Sequence, residues 1–381
     1  MGSSVKGIAV LGSTGSVGRQ ALDVIRAFPD QFTAIGLGGW RNHRLLDEQV
    51  VEFQPALVSY DDTRDGAVSP RLAASKRVSM EEMVCDPRVD IVVMAVAGPA
   101  GLVSTLRALR VGKTVALASK EVLVMAGPIL AREMAGGAAL LPVDSEPSAI
   151  WQCLRGEDSA VERIIITASG GAFRKRSPDT LHSVTPQEAL NHPTWTMGRK
   201  ITVDSATLMN KAFEVIEAHW LFNMPWECIE VVIHPQSIVH SFVEFQDGSV
   251  KAQMAPPDMR LPLQYAMFYP KRVRSEWLER LDFARVGSLD FEPLDETWYP
   301  CFSMALDAAK KGGTYPAALC GADEAAVTLF LDGKIGFMDI PDLIRRVIEE
   351  HRSGDAMSLD DVIAAESWAR RRAHELVPAS Q

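Results

Sequence analysis

The segment Leu140-Leu141-Pro142-Val143-Asp144-Ser145-Glu146 carries two carboxylates at alternate positions. In an extended chain alternate side chains point the same way. Asp144 and Glu146 would then offer oxygen ligands together, a donor set suited to a hard divalent cation, Mg2+ or Mn2+. Paired acids are also an ordinary solvated edge or helix cap, and a third acid tips the reading toward a metal. Over residues 205–222, Leu208, Ala212, Val215, Ile216 and Trp220 fall on one side of a helix, and Thr207, Asn210, Lys211, Glu214 and Glu217 fall on the opposite arc. Read as one helix beginning at Ser205, the segment offers unpaired N–H groups and a positive dipole end to an anion. Asn210 and Lys211 add donors of the kind that grip phosphate, and Glu214 adds a cation ligand one turn later.

A second anion site is suggested by Thr167-Ala168-Ser169-Gly170-Gly171, a hydroxyl followed by two permissive residues at the end of a strand, able to form a nest of N–H groups. The polar stretch beyond it ends in His192-Pro193-Thr194-Trp195-Thr196-Met197-Gly198-Arg199-Lys200. Apolar Trp195 and Met197 in so punctuated a loop suit a lid, over about 169–200, that closes on a ligand and excludes water. His219, His234 and His240 read as core histidines, and Arg174-Lys175-Arg176 and Arg370-Arg371-Arg372 as solvated runs.

The third group of residues is a glycine loop. An apolar strand enters Gly12-Ser13-Thr14-Gly15-Ser16-Val17-Gly18, and a helix with Val17, Ala21, Leu22 and Ile25 on one face follows. The G-x-x-G-x-x-G spacing between a first strand and a first helix is that of a dinucleotide loop, whose backbone N–H groups face a pyrophosphate. After the second strand the chain reads Gly38-Gly39-Trp40-Arg41-Asn42, with no carboxylate before Asp47 to hold a ribose 2'-hydroxyl. Arg41 suits a 2'-phosphate instead, which selects NADPH. The polar residues of Ala118-Ser119-Lys120-Glu121 follow another strand and would face the nicotinamide end.

The elements that must position these residues follow from hydrophobic periodicity. Val5–Leu11, Phe32–Leu37, Ala56–Ser59, Ile91–Ala95 and Thr114–Ala118 alternate with amphipathic stretches, the rhythm of a Rossmann-like doubly wound parallel sheet over 1–144. Arg163–Ala168, Ile229–His234, Ile238–Phe245 and Val250–Met254 read as strands of an α+β catalytic domain over 145–268, the middle two as neighbours in an antiparallel or mixed sheet. Pro256–Pro300 lacks periodicity and reads as a surface linker, centred on 269–295. Trp298–Ala309, Ala317–Leu331, Pro341–His351 and Leu359–Glu375, the last capped by Ser358, predict a C-terminal helical domain over 296–381.

With 381 residues, 47% hydrophobic, the chain can bury several cores, and its net charge of -10 argues against a nucleic-acid partner. Its longest apolar runs, such as Ile91–Val103, are interrupted by Gly98, Pro99 and Gly101 and fall short of the roughly 20 residues a membrane helix needs. A strand entered by Ile8 leaves no room for a leader, and five scattered cysteines without a Cys-x-x-Cys pair signal neither a disulfide framework nor a zinc knuckle. A cytoplasmic enzyme is expected.

The ordered set Gly12–Gly18, Leu117-Ala118-Ser119-Lys120-Glu121, Val143–Glu146, Ala168–Gly171, His192–Trp195, Met197–Lys200, Val203–Thr207, Met209-Asn210-Lys211, Ile233–Ser237 and Pro257–Arg260 resembles the 1-deoxy-D-xylulose 5-phosphate reductoisomerase family over nearly the whole chain. The resemblance implies NADPH- and metal-dependent conversion of that sugar phosphate to 2-C-methyl-D-erythritol 4-phosphate, in non-mevalonate isoprenoid synthesis, by a homodimer. It implies metal ligands at Asp144, Glu146 and Glu214. Phosphate contacts fall at Ser169, Ser205, Asn210 and Lys211, and further substrate contacts at Lys120, Ser145, Glu146, His192 and Trp195. NADPH contacts fall at Thr14, Gly15, Ser16, Val17, Gly39, Arg41, Asn42, Ser119, Glu121 and Gly198. This chain departs from the family pattern at Ser119, where Asn is usual, and at Pro147, where His is frequent. A semialdehyde dehydrogenase, the rival enzyme, would need a cysteine nucleophile, and Cys153 lacks a motif for it. A regulator that only senses NADPH would need neither the acids nor a second phosphate pocket.

Overall fold

The structure is a computed structural model that describes residues 5–61, 69–354 and 357–377; Met1–Ser4, on which the reading of an absent leader partly rests, lie outside them. The chain packs as two units. The first comprises Met1–Val122, Leu130–Ser148 and Asp258–Glu279.

In this first unit β1 (Lys6–Leu11), α1 (Ser16–Ala27), β2 (Phe32–Gly38), α2 (His43–Phe53), β3 (Leu57–Ser59), α3 (Pro70–Ala74), α4 (Met80–Cys85), β4 (Ile91–Met94), α5 (Gly98–Arg110), β5 (Thr114–Leu117), α6 (Lys120–Ala135) and β6 (Leu140–Pro142) follow in turn, with α7 (Ser145–Leu154) opening at its end. Among the described residues the six strands form one parallel sheet in the order β3-β2-β1-β4-β5-β6. Ile8, Ala9, Val10 and Leu11 are wholly buried, as a central strand covered on both faces must be. The five expected strands are present to within one residue at each end. The order reverses between β1 and β4, so a ligand crevice lies at the carboxyl ends of those strands.

The expected boundary at residue 268 and the reading of Pro256–Pro300 as linker need correction. Arg260–Phe268 is a helix, α11, and belongs to the first unit, where Phe268 packs edge-on against Phe28 and Phe32 with centroids 4.8 and 4.6 Å apart. Pro262 sits in its first turn, where no intrahelical N–H is lost, and so hid the helix from periodicity without breaking it.

The second unit comprises Leu123–Ile129, Ala149–Pro257 and Arg280–Gln381. It holds β7 (Val161–Ala168), α8 (Pro186–Ala189), α9 (Arg199–Thr207), α10 (Met209–Phe222), β8 (Ile229–Ile233), β9 (Val239–Phe245), β10 (Val250–Met254), α12 (Phe283–Val286), β11 (Glu292–Pro293), α13 (Pro300–Lys311), α14 (Tyr315–Leu331), α15 (Asp339–Glu350) and α16 (Leu359–Leu376). Its mixed sheet has the order β10-β9-β7-β8-β11, with only β7 and β8 parallel. The expectation that β8 and β9 are neighbours is therefore wrong: β7 lies between them. The link His234–Ile238 arches over the end of β7 instead of forming a hairpin. His234 N donates to Ala168 O at 2.6 Å, and its Nε2 accepts from the N–H groups of Ile238 and Val239, both at 3.2 Å. The C-terminal helices, expected as a separate domain, pack within this same unit. Ser358 caps α16 as expected, accepting from Asp361 N at 3.2 Å. Among the described residues no helix is long and apolar enough to cross a membrane.

Candidate active site

The glycine loop is built by close backbone approach. Gly12 N and Ser13 N both donate to Gly38 O, at 3.0 and 2.8 Å, which turns the chain at the end of β1. A Cβ on Gly18 would stand 2.1 Å from Gly12 O, so only glycine lets α1 begin this near the turn. Gly15 is the N-cap of α1 without a side-chain cap, and the first turn holds no acid, which leaves the helix end suited to an external anion. Thr14, Ser16 and Val17 flank this end. The loop is braced by a group that no local pattern signals: Ser13 Oγ donates to Gln49 Oε1 at 2.8 Å and Gln49 Nε2 returns a bond to Ser13 O at 2.9 Å, across 36 residues. At the end of β2, Gly39 N donates to Ser59 O at 2.9 Å and Arg41 is exposed. Asn42 is the N-cap of α2, its Oδ1 accepting from Leu45 N at 3.0 Å. Ser119 opens α6 and donates to Glu121 Oε2 at 3.0 Å.

The acid pair is placed differently from the extended chain expected. After β6 the chain enters α7 at Ser145, and Asp144 O accepts from Ser148 N at 2.9 Å, which makes Asp144 the N-cap residue and puts Glu146 in the first turn. Asp144 is buried beside Lys120, with Nζ 2.8 Å from Oδ2, and Ser145 Oγ donates to Glu146 Oε2 at 2.6 Å.

The polar stripe holds in composition but not as one helix. Leu208 adopts φ 56° and separates α9 from α10. Ser205 therefore lies in the last turn of α9 and not at a helix start, and the dipole argument made for it fails. The stripe is no wet face either: Thr207, Lys211, Glu214 and Glu217 are all buried. Desolvating that many charged groups requires partners. Asn210 Nδ2 donates to Glu214 Oε1 at 2.6 Å and Lys211 Nζ pairs with Glu214 Oε2. Asp144 and Glu146 thus offer carboxylate oxygens together at the start of α7, and Glu214 offers its own from α10.

Around β7's end, Ser169 Oγ lies 2.9 Å from His192 Nε2. His192 Nδ1 accepts from the N–H groups of Thr194 and Trp195, at 3.1 and 2.9 Å, so the ring proton sits on Nε2 and points at Ser169. Burial pushes the His192 imidazole down to about 4, which keeps it neutral near pH 7. Gly171 N donates to Ser169 Oγ at 3.2 Å, so the expected nest is closed by its own hydroxyl. Trp195 is half-buried, 6.2 Å from the His240 ring. Gly198 is the N-cap of α9, two residues before the lid's expected end.

Three family models match the chain: 1-deoxy-D-xylulose 5-phosphate reductoisomerase over residues 8–127, its C-terminal domain over 140–222, and a further DXP reductoisomerase C-terminal domain over 254–372. A curated reductoisomerase from Pelotomaculum thermopropionicum is 49% identical over 377 residues, covering 96% of this chain and 97% of the relative. The chain belongs to the 1-deoxy-D-xylulose 5-phosphate reductoisomerase family. A second reductoisomerase, from Caldanaerobacter subterraneus, is 48% identical over 378 residues, 97% of this chain and 98% of the relative. A solved reductoisomerase from Zymomonas mobilis in complex with NADPH superposes with a TM-score of 0.89 at 39% identity, covering 99% of this chain and 100% of the other. Another, in complex with NADPH, fosmidomycin and magnesium, gives 0.91 at 35% identity over 98% of both chains. This reductoisomerase is thus an NADP-dependent oxidoreductase acting on a small phosphorylated sugar.

Proposed function

We propose the following division of labour for the NADPH- and divalent-metal-dependent isomerisation and reduction of 1-deoxy-D-xylulose 5-phosphate to 2-C-methyl-D-erythritol 4-phosphate, the reaction of this family. The first unit binds NADPH, and 149–257 with the C-terminal helices forms the catalytic part. Asp144, Glu146 and Glu214 hold the cation, Mg2+ or Mn2+. The observation that carries this reading is the donor chemistry within each unit: Asp144 and Glu146 stand together at the start of α7, and Glu214 is a buried carboxylate on α10, an all-oxygen set matched to a hard cation. Lys120 on Asp144 and Lys211 on Glu214 support it, since these carboxylates already attract positive charge.

When bound, the cation would supply Lewis-acid stabilisation of the oxyanion that develops as a carbon–carbon bond beside a carbonyl is broken and remade, and NADPH would supply the hydride that reduces the resulting aldehyde. The residues of the chain orient and enclose the substrate. Ser169, Ser205, Asn210 and Lys211 take the phosphate, with Lys211 turning its ammonium from Glu214 toward the new anion. Neutral His192 aligns Ser169 through its Nε2–H and leaves the Ser169 hydroxyl proton free to be donated to a phosphate oxygen. Lys120, Ser145 and Glu146 meet the sugar hydroxyl groups, and Trp195 excludes water from above them. Thr14, Gly15, Ser16 and Val17 face the pyrophosphate, Gly39, Arg41 and Asn42 the adenosine phosphate, and Ser119, Glu121 and Gly198 the nicotinamide end.

The decisive experiment follows NADPH oxidation by the purified protein with the pentulose phosphate, with and without Mg2+ or Mn2+. Oxidation that needs both substrate and metal is expected; oxidation indifferent to either would overturn the reading. We further propose a cytoplasmic homodimer. A groove of ≈ 700 Å³ over the second sheet, lined in part by Ile165, Val232, Phe242 and Phe291, supports self-association, and sedimentation equilibrium tests it.

A further inference from the structure

A buried charge cluster in the second unit takes no part in the roles above. Lys200, in the first turn of α9, places Nζ 2.6 Å from Asp204 Oδ2 on the same helix and 2.6 Å from Asp323 Oδ2 on α14. Both aspartates are almost wholly buried, at 2% and 0% exposure, and the ammonium also lies 5.2 Å from the Phe213 ring centroid. Two features make the cluster costly. It buries two carboxylates around one ammonium, and desolvating charged groups costs several kcal/mol each. It also puts a cation at the helix end where the backbone dipole disfavours one. The carboxylates are felt nearby: burial, with Asp323 and then Asp204, pushes the Cys301 thiol well up. An apolar contact of equal volume would join α9 to α14 at less expense, so stability alone does not account for the arrangement.

What the cluster supplies is a fixed rotation of α9. Asp204 and Ser205 are consecutive, about 100° apart around the axis, so the angle that Lys200 and Asp323 impose on Asp204 also sets the direction of Ser205. The other side of α9 has no slack: a Cβ on Gly171 would stand 2.4 Å from Ser205 O, so the loop carrying Ser169 is in close contact with the helix at this residue. A rotation of about 10° would move a side-chain atom roughly 5–6 Å from the axis by about 1 Å, a displacement that can cost on the order of 10²-fold in a positioned site.

We propose that Asp323 is a positioning residue for the phosphate end of the substrate, acting through Lys200 and α9 on Ser205. This rests on the assignment of Ser205 to the phosphate. The test compares Asp323→Asn, which leaves a neutral Lys200–Asp204 pair, with Asp323→Glu, which keeps the charge but changes the reach, and with Ser205→Ala. In both Asp323 variants the KM for the sugar phosphate and the inhibition constant of inorganic phosphate are expected to rise together by about tenfold, with kcat changed less than about threefold and the KM for NADPH unchanged. Folded Asp323 variants with wild-type KM and phosphate inhibition, whatever their Tm, would overturn the proposal, as would equal rises in both substrates' KM. If Asp323→Asn does not fold, Asp323→Glu decides alone. Ser205→Ala with unchanged KM and phosphate inhibition would instead remove the phosphate assignment beneath it.

Discussion

The glycine loop of the first unit and the stripe on α10 in the second are both suited to anions, yet they are made in opposite ways. The loop is chiefly a backbone device: its N–H groups and the end of α1 follow from glycine spacing within seven residues, with the Ser13–Gln49 pair as a brace from outside that span. The stripe is a side-chain device: Asn210 and Lys211 turn inward onto Glu214, buried among residues whose burial nothing in the local sequence announces. A backbone site is fixed by local conformation and tolerates neighbours that change. A buried side-chain site depends on every packing partner, and each of its charges must be matched or paid for in stability. The loop should therefore fail sterically and the stripe electrostatically.

The largest effect should come from the stripe. Glu214→Gln removes one carboxylate charge, and a loss of several kcal/mol of Lewis-acid stabilisation corresponds to a kcat lower by about 10³-fold. Circular dichroism should show the fold intact, and titration calorimetry should show Mg2+ binding weakened; an unchanged rate would break the assignment. Next, Gly18→Ala forces a methyl onto Gly12 O. We expect stability to fall by about 1–3 kcal/mol in denaturant titration, and the KM for NADPH to rise while the KM for the sugar phosphate holds. If both constants rise alike, the two sites are not independent devices.

Arg41→Ala should raise the KM for NADPH by about tenfold, as expected for loss of one charge-assisted hydrogen bond, and leave the KM for NADH unmoved. A similar change for both coenzymes would remove Arg41 from the 2'-phosphate. The smallest effect concerns His192. Its imidazole is held near 4 in the folded chain, below its ordinary value of 6.5, so the unfolded chain binds the extra proton more readily between those values. The associated stability is present above about pH 6.5 and is lost as pH falls through 4. His219 and His351, also lowered by burial, act in the same direction, so the difference in Tm between wild type and His192→Gln is the quantity to follow. It should narrow across that window; a constant difference would show that His192 takes up its proton equally in the folded and unfolded chain.

Much of the first unit was legible because β1, β4 and β5 are short apolar runs rich in β-branched residues and bounded by glycine and polar breaks, the pattern of strands buried on both faces. Legibility failed where one residue's conformation decides an element. Leu208, an ordinary helix former, takes φ 56° and splits an amphipathic pattern that reads as unbroken from Ser205 to Phe222. Pro262 and its aromatic neighbours concealed α11. The adjacency assumed for β8 and β9 failed because their link is short in sequence but is spanned by the His234 ring, which lets the chain arch over β7.

By itself the sequence determined which residue types stand ready for chemistry: a glycine loop without an acid for the ribose, oxygen donors at 144, 146 and 214, and amide and ammonium donors at 210 and 211. These are covalent facts, and local rules of turn and helix suffice to read them. Only the tertiary structure decided that Asp144 caps a helix and is not part of a strand, that Lys211 and Glu214 are buried against each other, and that Lys200 joins aspartates 119 residues apart. Such pairings depend on desolvation and distance between segments remote along the chain, and no periodicity of 2 or 3.6 encodes either.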